Sequence, residues 1–363
     1  MEDVLICGAG VAGSTLAYWL ARNGFEVTVV ERAQGMRSSG NPVDVRGPAM
    51  PVVEAMGVVN RLRDVVTRTK RVRLLGGDGR RIATVGLPAA KGDELEIPRS
   101  DLVTVLYEAA RGEAGFLFDD TIVGLRPDEH GVDVTFDRAP PRRFGFVIGA
   151  DGLHSAVRRL GFGPERSFVR PTGIHVATTS FGEPADHPED VLLYNTPGRL
   201  VALHPSRDEG GVAFIFRARI DGVDYRDMAQ HKRIVATAYR GMGWRVPALL
   251  ERLQDADDVF FDAVSVVDLP SWSRGRIALV GDAASCVSLL GEGSSLAIAG
   301  AHTLATALAA APATGFRRYE AEHRARVMPK QRTVKLTAAL LVPKTKAGLT
   351  TRNLVARAWP WSV

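Results

Sequence analysis

The stretch from Val4 to Glu31 constrains the fold of this chain more than any other. Val4-Leu5-Ile6-Cys7 is a short apolar run, the pattern of a strand buried on both faces. It stops at Gly8-Ala9-Gly10-Val11-Ala12-Gly13, and helical pattern follows from Ser14 to Arg22. Gly24 ends that helix, and Glu26 to Val30 reads as a second strand finishing at Glu31. A strand–turn–helix–strand unit opened by Gly-x-Gly-x-x-Gly is the fingerprint of a bound dinucleotide. Gly8 permits the tight turn, Gly10 lets a pyrophosphate approach the backbone, and Gly13 lets the helix pack close to the sheet. The N–H groups of the first helical turn, around Val11 and Ala12, then face the phosphates. Glu31 is placed to accept hydrogen bonds from an adenosine ribose. Its charge repels a 2′-phosphate, which points to FAD or NAD rather than NADP in this site.

The bulk properties set outer limits. A length of 363 residues, 45% hydrophobic and 24% charged, suits one large two-lobed enzyme or two domains, with ample length for a sizeable core. No apolar run reaches about 18 residues, so no spanning helix is expected. The N-terminus lacks a basic leader and enters a strand at once, which speaks against a secretory signal. Cys7 and Cys286 are too few for a disulfide framework, so a reducing cytoplasm is the simplest setting. The net charge of +5 is uneven, with eleven Lys or Arg between Arg317 and Val363 against only Glu320 and Glu322. A solvated helix face is the favoured reading of this segment, with an anionic membrane, nucleic acid or a cofactor phosphate as alternatives. Neither helix-turn-helix nor metal-ligand spacing is present, so no nucleic acid and no metal is expected.

Further along, Val72 to Val85 alternates around Gly76-Gly77-Asp78-Gly79 and reads as a hairpin. Leu102 to Arg111 reads as a helix capped by Ser100 or Asp101. Thr121 to Leu125 and Val132 to Phe136 read as an antiparallel pair, and Phe146 to Gly149 as another buried strand leading into Ala150-Asp151-Gly152. Four strands within 174–217 suit an antiparallel sheet, and helical pattern follows between Tyr225 and Leu253. Ile277 to Gly281 is a last buried strand ending at Asp282, followed by a glycine-bearing loop and helix from Gly291 to Ala309. Dinucleotide-binding elements thus lie at the start, middle and late part of the chain. The expected fold is α/β: a Rossmann-type cofactor domain with an inserted antiparallel sheet. Phe316, Tyr319, His323, Val327, Val334, Ala338 and Leu341 form an apolar stripe, the pattern of a long helix kinked near Pro329 that bridges the lobes. A membrane-lying amphipathic helix is the alternative there, given Lys344, Lys346, Arg352 and Trp359-Pro360-Trp361.

Three separated motifs must be explained together: the N-terminal fingerprint, Gly149-Ala150-Asp151-Gly152-Leu153-His154-Ser155-Ala156-Val157-Arg158, and Val280-Gly281-Asp282-Ala283-Ala284. In their order and spacing they make the chain resemble the single-component (class A) FAD-dependent monooxygenases, the para-hydroxybenzoate hydroxylase-like group. The compact tetracycline-inactivating and polyketide-tailoring branch looks nearest, and the resemblance runs from Val4 to about Arg326. It implies that Asp282 holds the ribityl chain, and that Asp151-Gly152, with Ser155 and Arg158 behind them, serve the flavin and the incoming nicotinamide. It further implies Arg99 at FAD phosphate or ribityl oxygens, Arg46 near the flavin ring and substrate mouth, and Arg32 along the adenosine. Gly291-Glu292-Gly293-Ser294-Ser295 would aim backbone N–H groups at the flavin N1–C2=O edge, which becomes negative on reduction. The implied reaction uses NADPH or NADH and O2 through a flavin C4a-hydroperoxide to hydroxylate an electron-rich aromatic or polyketide-like small molecule, with no obligatory side-chain nucleophile. A flavin oxidoreductase without oxygen insertion, or an FAD-binding protein with little turnover, are the alternatives. Residues 285–293 depart from the family pattern: Ser285 replaces a common histidine and the usual proline is missing. The departure bears on oxygen reactivity.

The resemblance divides the chain into a discontinuous FAD-binding domain (1–69, 96–168 and 270–312) and a substrate-binding domain (70–95 and 169–269). A bridging C-terminal helix (313–345) and a basic tail (346–363) complete it. Substrate candidates in the second lobe are Phe214 and Phe216, which share one face of a strand, with His175 and His204 as polar candidates. For the two phenylalanines, plain core is the competing and favoured reading. Among loop residues, His154 reads as structural rather than as a base, and Ser155 as structural rather than nucleophilic, since no G-x-S-x-G elbow surrounds it.

Overall fold

The structure, a computed structural model, describes residues 2–36, 42–67, 69–86, 94–180, 187–205, 210–286 and 292–358. The chain opens with β1 (Asp3–Cys7), α1 (Val11–Arg22) and β2 (Glu26–Glu31). Strand β3 (Val43–Val45) leads to α2 (Met50–Ala55) and α3 (Val59–Asp64). The hairpin β4 (Arg71–Leu75) and β5 (Arg81–Gly86) follows, then β6 (Leu95–Ile97) and α4 (Arg99–Ala110). Next come β7 (Gly115–Phe118), β8 (Ile122–Pro127), β9 (Val132–Phe136), β10 (Arg142–Phe144), β11 (Phe146–Gly149) and α5 (Ala156–Gly161). Four strands then run in succession: β12 (Val169–Ser180), β13 (Asp190–Thr196), β14 (Arg199–His204) and β15 (Gly211–Arg217). Helices α6 (Met228–Tyr239) and α7 (Val246–Asp255) precede β16 (Phe260–Val267), β17 (Ser273–Arg274) and β18 (Ile277–Leu279). The last elements are α8 (Asp282–Ser285), α9 (Glu292–Ala310), α10 (Pro312–Leu341) and α11 (Lys346–Arg357).

The first sheet has the order β17-β18-β11-β1-β2-β7, and all its neighbours are parallel except the β17 edge. Val4, Leu5 and Ile6 of its central strand are wholly buried. A parallel strand covered on both faces needs apolar side chains in both directions, which is why this run does not alternate. Helix α9 packs against α1 and α10, and is buried almost all round from Ser294 to Leu308.

The second sheet, β16-β12-β15-β14-β13-β4-β5, is mixed rather than antiparallel, because β4 runs parallel to β13. More than a hundred residues separate those two strands, so no hairpin dictates their direction. Buried Asp190 opens β13 and receives Arg71 (2.6 Å) and Arg73 from β4, which fixes that pairing. One face of the sheet packs Tyr194, Val201, Phe214, Phe216 and Phe261 against Val235 and Tyr239 of α6 and Leu249 and Leu253 of α7. The other packs Ile174, Leu200, Ala202, Ala213, Ile215 and Val264 against Ala338 and Val342 at the end of α10.

Helix α10 therefore bridges the two sheets. Near its start Phe316 meets Phe146 edge-on, and the Tyr319 hydroxyl donates to the Leu279 carbonyl at 3.2 Å. Near its end Arg217 donates to the carbonyls of Ala338 and Val342, both at 2.7 Å, and Asn195 donates to that of Leu341. At Leu341 and Val342 these donors satisfy carbonyls at the end of the helix, while the Ala338 carbonyl also accepts the Val342 N–H at 3.1 Å. Six of the seven stripe residues are buried, and Leu341 is half-buried. Residues 346–357 of the basic C-terminal segment form α11, capped by the Thr345 hydroxyl on the Gly348 N–H. One expectation is corrected. Helix α4 begins at Arg99, after Pro98, with no side-chain cap, because extended Pro98 places Ser100 and Asp101 already inside its first turn.

Candidate functional site

The three motifs converge on one cleft at the C-terminal ends of β1, β2, β11 and β18, where open parallel sheets bind ligands. Of the residues singled out in the sequence, Gly8, Gly10, Val11, Ala12, Glu31, Arg32, Arg99, Asp151, Gly152, Asp282, Gly293 and Ser294 line it.

The glycines differ in what requires them. Gly8 has φ +99°, and a Cβ there would lie 2.6 Å from the Ala150 carbonyl oxygen. At Gly13 a Cβ would lie 1.9 Å from the Gly8 oxygen, so close helix–sheet packing forbids any side chain. A Cβ on Gly10, in contrast, would meet nothing within 4 Å and would project into open cleft. The fold does not need Gly10; a ligand lying on the backbone does. That is a direct fit for a pyrophosphate. Beside it, the Glu31 carboxylate accepts the Ala9 N–H at 2.8 Å and the Ala33 N–H at 2.9 Å, which fixes it at the end of β2.

Gly281, with φ +62°, turns the chain from β18 into α8, and a Cβ there would meet Ala12 at 2.8 Å. Asp282 is thereby set at the cleft. Burial pushes its carboxyl above the usual range, Arg99 opposes this, and Asp262 adds to it. Burial also raises Asp151, whose carboxylate is already engaged. It accepts the Ser155 hydroxyl at 2.5 Å and the N–H groups of Ala156 (2.7 Å) and Val157 (3.1 Å), closing the start of α5. The Ser155 hydroxyl also accepts the Arg158 N–H at 2.9 Å. Arg158, fully buried, donates to the Ala283 carbonyl at 3.0 Å and to that of Leu153, so it ties the second motif to the third. Ser155 and Arg158 are structural.

His154 and Thr121 also line the cleft, and sequence reasoning placed neither there. The His154 ring lies between Glu165 (3.1 Å) and Asp262 (3.2 Å) and packs 4.1 Å from the Tyr225 ring. Burial alone would disfavour its charged form, but the two carboxylates outweigh this and raise its pKa to about 9. A charged imidazole with both nitrogens engaged is no general base. It bridges the Asp-Gly segment to β16 of the second sheet.

Arg46 lies outside the cleft lining, held by Glu292 (2.9 Å) and Asp44 (3.6 Å), while its N–H donates to the Ser295 hydroxyl at 3.0 Å. Glu292 also receives Lys330 at 2.7 Å. Gly291, and residues 287–291 of the departing segment, lie outside the described residues. Of the substrate candidates, Phe214 and Phe216 are core: 0% and 1% exposed, with both rings against Tyr239. His175 joins them, buried and stacked between Phe216 and Phe261. Period two puts all three on the side that α6 and α7 cover. His204 alone has the register of the opposite face, in line with Ala202 and Leu200 on β14. Burial holds it below its usual pKa, and its Nδ1 is buried without a hydrogen-bond partner. Thr178, on the same face opposite Ala213, is 5% exposed, and its hydroxyl also has no partner. No sequence signal distinguishes Thr178 from any other strand threonine.

Comparison with known proteins agrees with the site. Residues 1–330 match the family described as FAD binding domain. An uncharacterized Mycobacterium tuberculosis protein, Rv1260, is 39% identical over 89% of this chain and 90% of its own length. A flavin-dependent monooxygenase of Legionella longbeachae is 32% identical over 88% of this chain and 84% of its own. The crystal structure of the tetracycline destructase Tet(51) superposes with a TM-score of 0.87 at 28% identity, over 99% of this chain and 96% of that one. With its glycine cradle, fixed Glu31 and cleft-lining Asp282, the chain belongs to the FAD-binding family and is an FAD-dependent monooxygenase of the class A type.

Proposed function

We propose that the cleft holds FAD with its pyrophosphate over Gly10 and the N-terminus of α1, its adenosine ribose on Glu31 with Arg32 alongside, and its ribityl chain between Asp282 and Arg99. The open space at Gly10 carries this reading, because nothing in the fold itself excludes a side chain there. When bound, FAD supplies the redox chemistry that activates O2 with electrons from NADPH or NADH. The chain's own groups bind and orient. The start of α9, with Gly293 and Ser294 at the cleft, presents backbone N–H groups to developing negative charge on the ring. Arg46, tethered by Glu292, sits beside that helix start and guards the substrate mouth.

On this reading, residues 1–69, 96–168 and 270–312 serve the cofactor, 70–95 and 169–269 the substrate, and 313–345 the bridge between them. The substrate is an electron-rich aromatic or polyketide-like small molecule, as the tetracycline destructase likeness suggests. It lies against the sheet face turned away from α6 and α7, on which Thr178 and His204 sit; Ala202 and Ala213 of that face are packed against the end of α10. The partnerless Thr178 hydroxyl and neutral His204 supply its polar contacts. The test is turnover with a panel of phenolic polyketides under labelled O2, with NADPH or NADH oxidation followed in parallel. One labelled oxygen atom in the product supports the reading. Reductant oxidation that yields an unlabelled product, or no oxidation by FAD-loaded protein with any of the panel, overturns it.

A further inference from the structure

Helix α10 has two faces of opposite chemistry. Its inner face buries Phe316, Tyr319, Val327, Val334 and Ala338. At 100° per residue, the opposite face of its last turns carries Met328, Arg332, Leu336 and Leu340 in successive steps of four. Leu336 is 65% exposed and Leu340 55%. On α11, Leu354 and Val355 are 58% and 54% exposed. Among the described residues these four are the most exposed large hydrophobic side chains, and all lie within residues 336–355. Isolated exposed leucines are ordinary, whereas a concentration of them on one short stretch marks a contact surface.

The charge around them identifies the kind of contact. From His323 to Val363 the sequence holds nine Lys or Arg and no Asp or Glu. Arg332 and Lys335 are exposed beside Leu336, and Lys344, before α11, and Lys346, its first residue, are exposed too. We propose that the outer side of α10 and α11 docks on an anionic lipid surface, with the leucines among the headgroups and the basic side chains on lipid phosphates. A second copy of the chain fits poorly, because a two-fold contact sets the same cationic patch against itself. Nucleic acid would satisfy the charge and leave the leucines in water. Basic amphipathic helices with exposed leucines are the recognised form of interfacial binding. Because no helix among the described residues is long and apolar enough to cross a membrane, the contact is peripheral.

The experiment is flotation of the full-length, FAD-loaded protein with phosphatidylcholine vesicles made with or without phosphatidylglycerol, at physiological and at high salt. Each exposed basic residue near an anionic surface adds about fivefold in affinity. Wild type is expected to float at least about tenfold more with the anionic vesicles, and high salt releases it. The pairs Leu336→Ser with Leu340→Ser, and Arg332→Glu with Lys335→Glu, each lose at least about tenfold while keeping flavin absorbance and Tm. Their side chains point away from the core, so the fold is preserved. Three results overturn the proposal: equal or absent flotation on the two vesicle types, variants that float like wild type, or a dimer in light scattering that the leucine pair dissolves. Retention on nucleic acid without flotation overturns it too.

Discussion

His154 joins the cofactor-side turn to the second sheet through charge, and that makes stability depend on pH in a defined window. Its imidazole is held between Glu165 and Asp262, with Tyr225 against the ring and Arg158 paired to Glu165. The folded pKa of about 9 lies above the ordinary 6.5, so the bridge contributes in full below 6.5 and fades as pH rises through about 9. At about 1.4 kcal/mol per pH unit the gap corresponds to roughly 3 kcal/mol at most. The side chain is 33% exposed and Glu165 39%, so solvent screening reduces this to about 1–2 kcal/mol. For a chain of 363 residues, with about 2.1 cal/mol/K of unfolding entropy per residue, that is about 1–3 °C in Tm. The assay compares thermal unfolding of wild type and His154→Gln between pH 6 and pH 10. Groups remote from the bridge cancel in the comparison. The wild-type advantage should be largest at pH 6 and vanish near pH 10. An advantage that is flat across this range, or that grows with pH, would refute the charged bridge.

Gly10→Ala and Gly13→Ala should separate binding from folding. The first keeps its Tm without cofactor and loses at least about tenfold in FAD affinity, read by flavin fluorescence quenching, because its methyl enters the cleft where the pyrophosphate approaches. The second lowers Tm whether or not FAD is added, since its methyl collides with the Gly8 carbonyl. Arg158→Met leaves the Ala283 and Leu153 carbonyls without their donor and should lose about 2–4 kcal/mol in urea unfolding; an unchanged midpoint would show that the guanidinium is dispensable. Thr178→Val removes a buried hydroxyl that has no partner, so Tm without substrate should hold or rise by up to about 2 °C. A fall of several degrees would mean that the hydroxyl is satisfied within the fold.

The sequence by itself determined the cofactor lobe. Glycine spacing, an unalternating β1 and a terminal acid on β2 are local consequences of a parallel sheet meeting a phosphate, and three such motifs in order leave one arrangement. The stripe on α10 was legible for the same reason, since helical period and burial are written together. Tertiary structure decided the rest. Phe214 and Phe216 alternate as either a ring clamp or a core would, and only the packing of α6 and α7 over their face makes them core. Thr178 and His204 stand out only because their polar atoms end without partners on the face those helices leave open. The direction of β4 beside β13 was invisible because no hairpin joins them. In the sequence His154 reads as a loop residue, since Glu165 and Asp262 reach it from 11 and 108 positions away, and pairings at that distance carry no local signal.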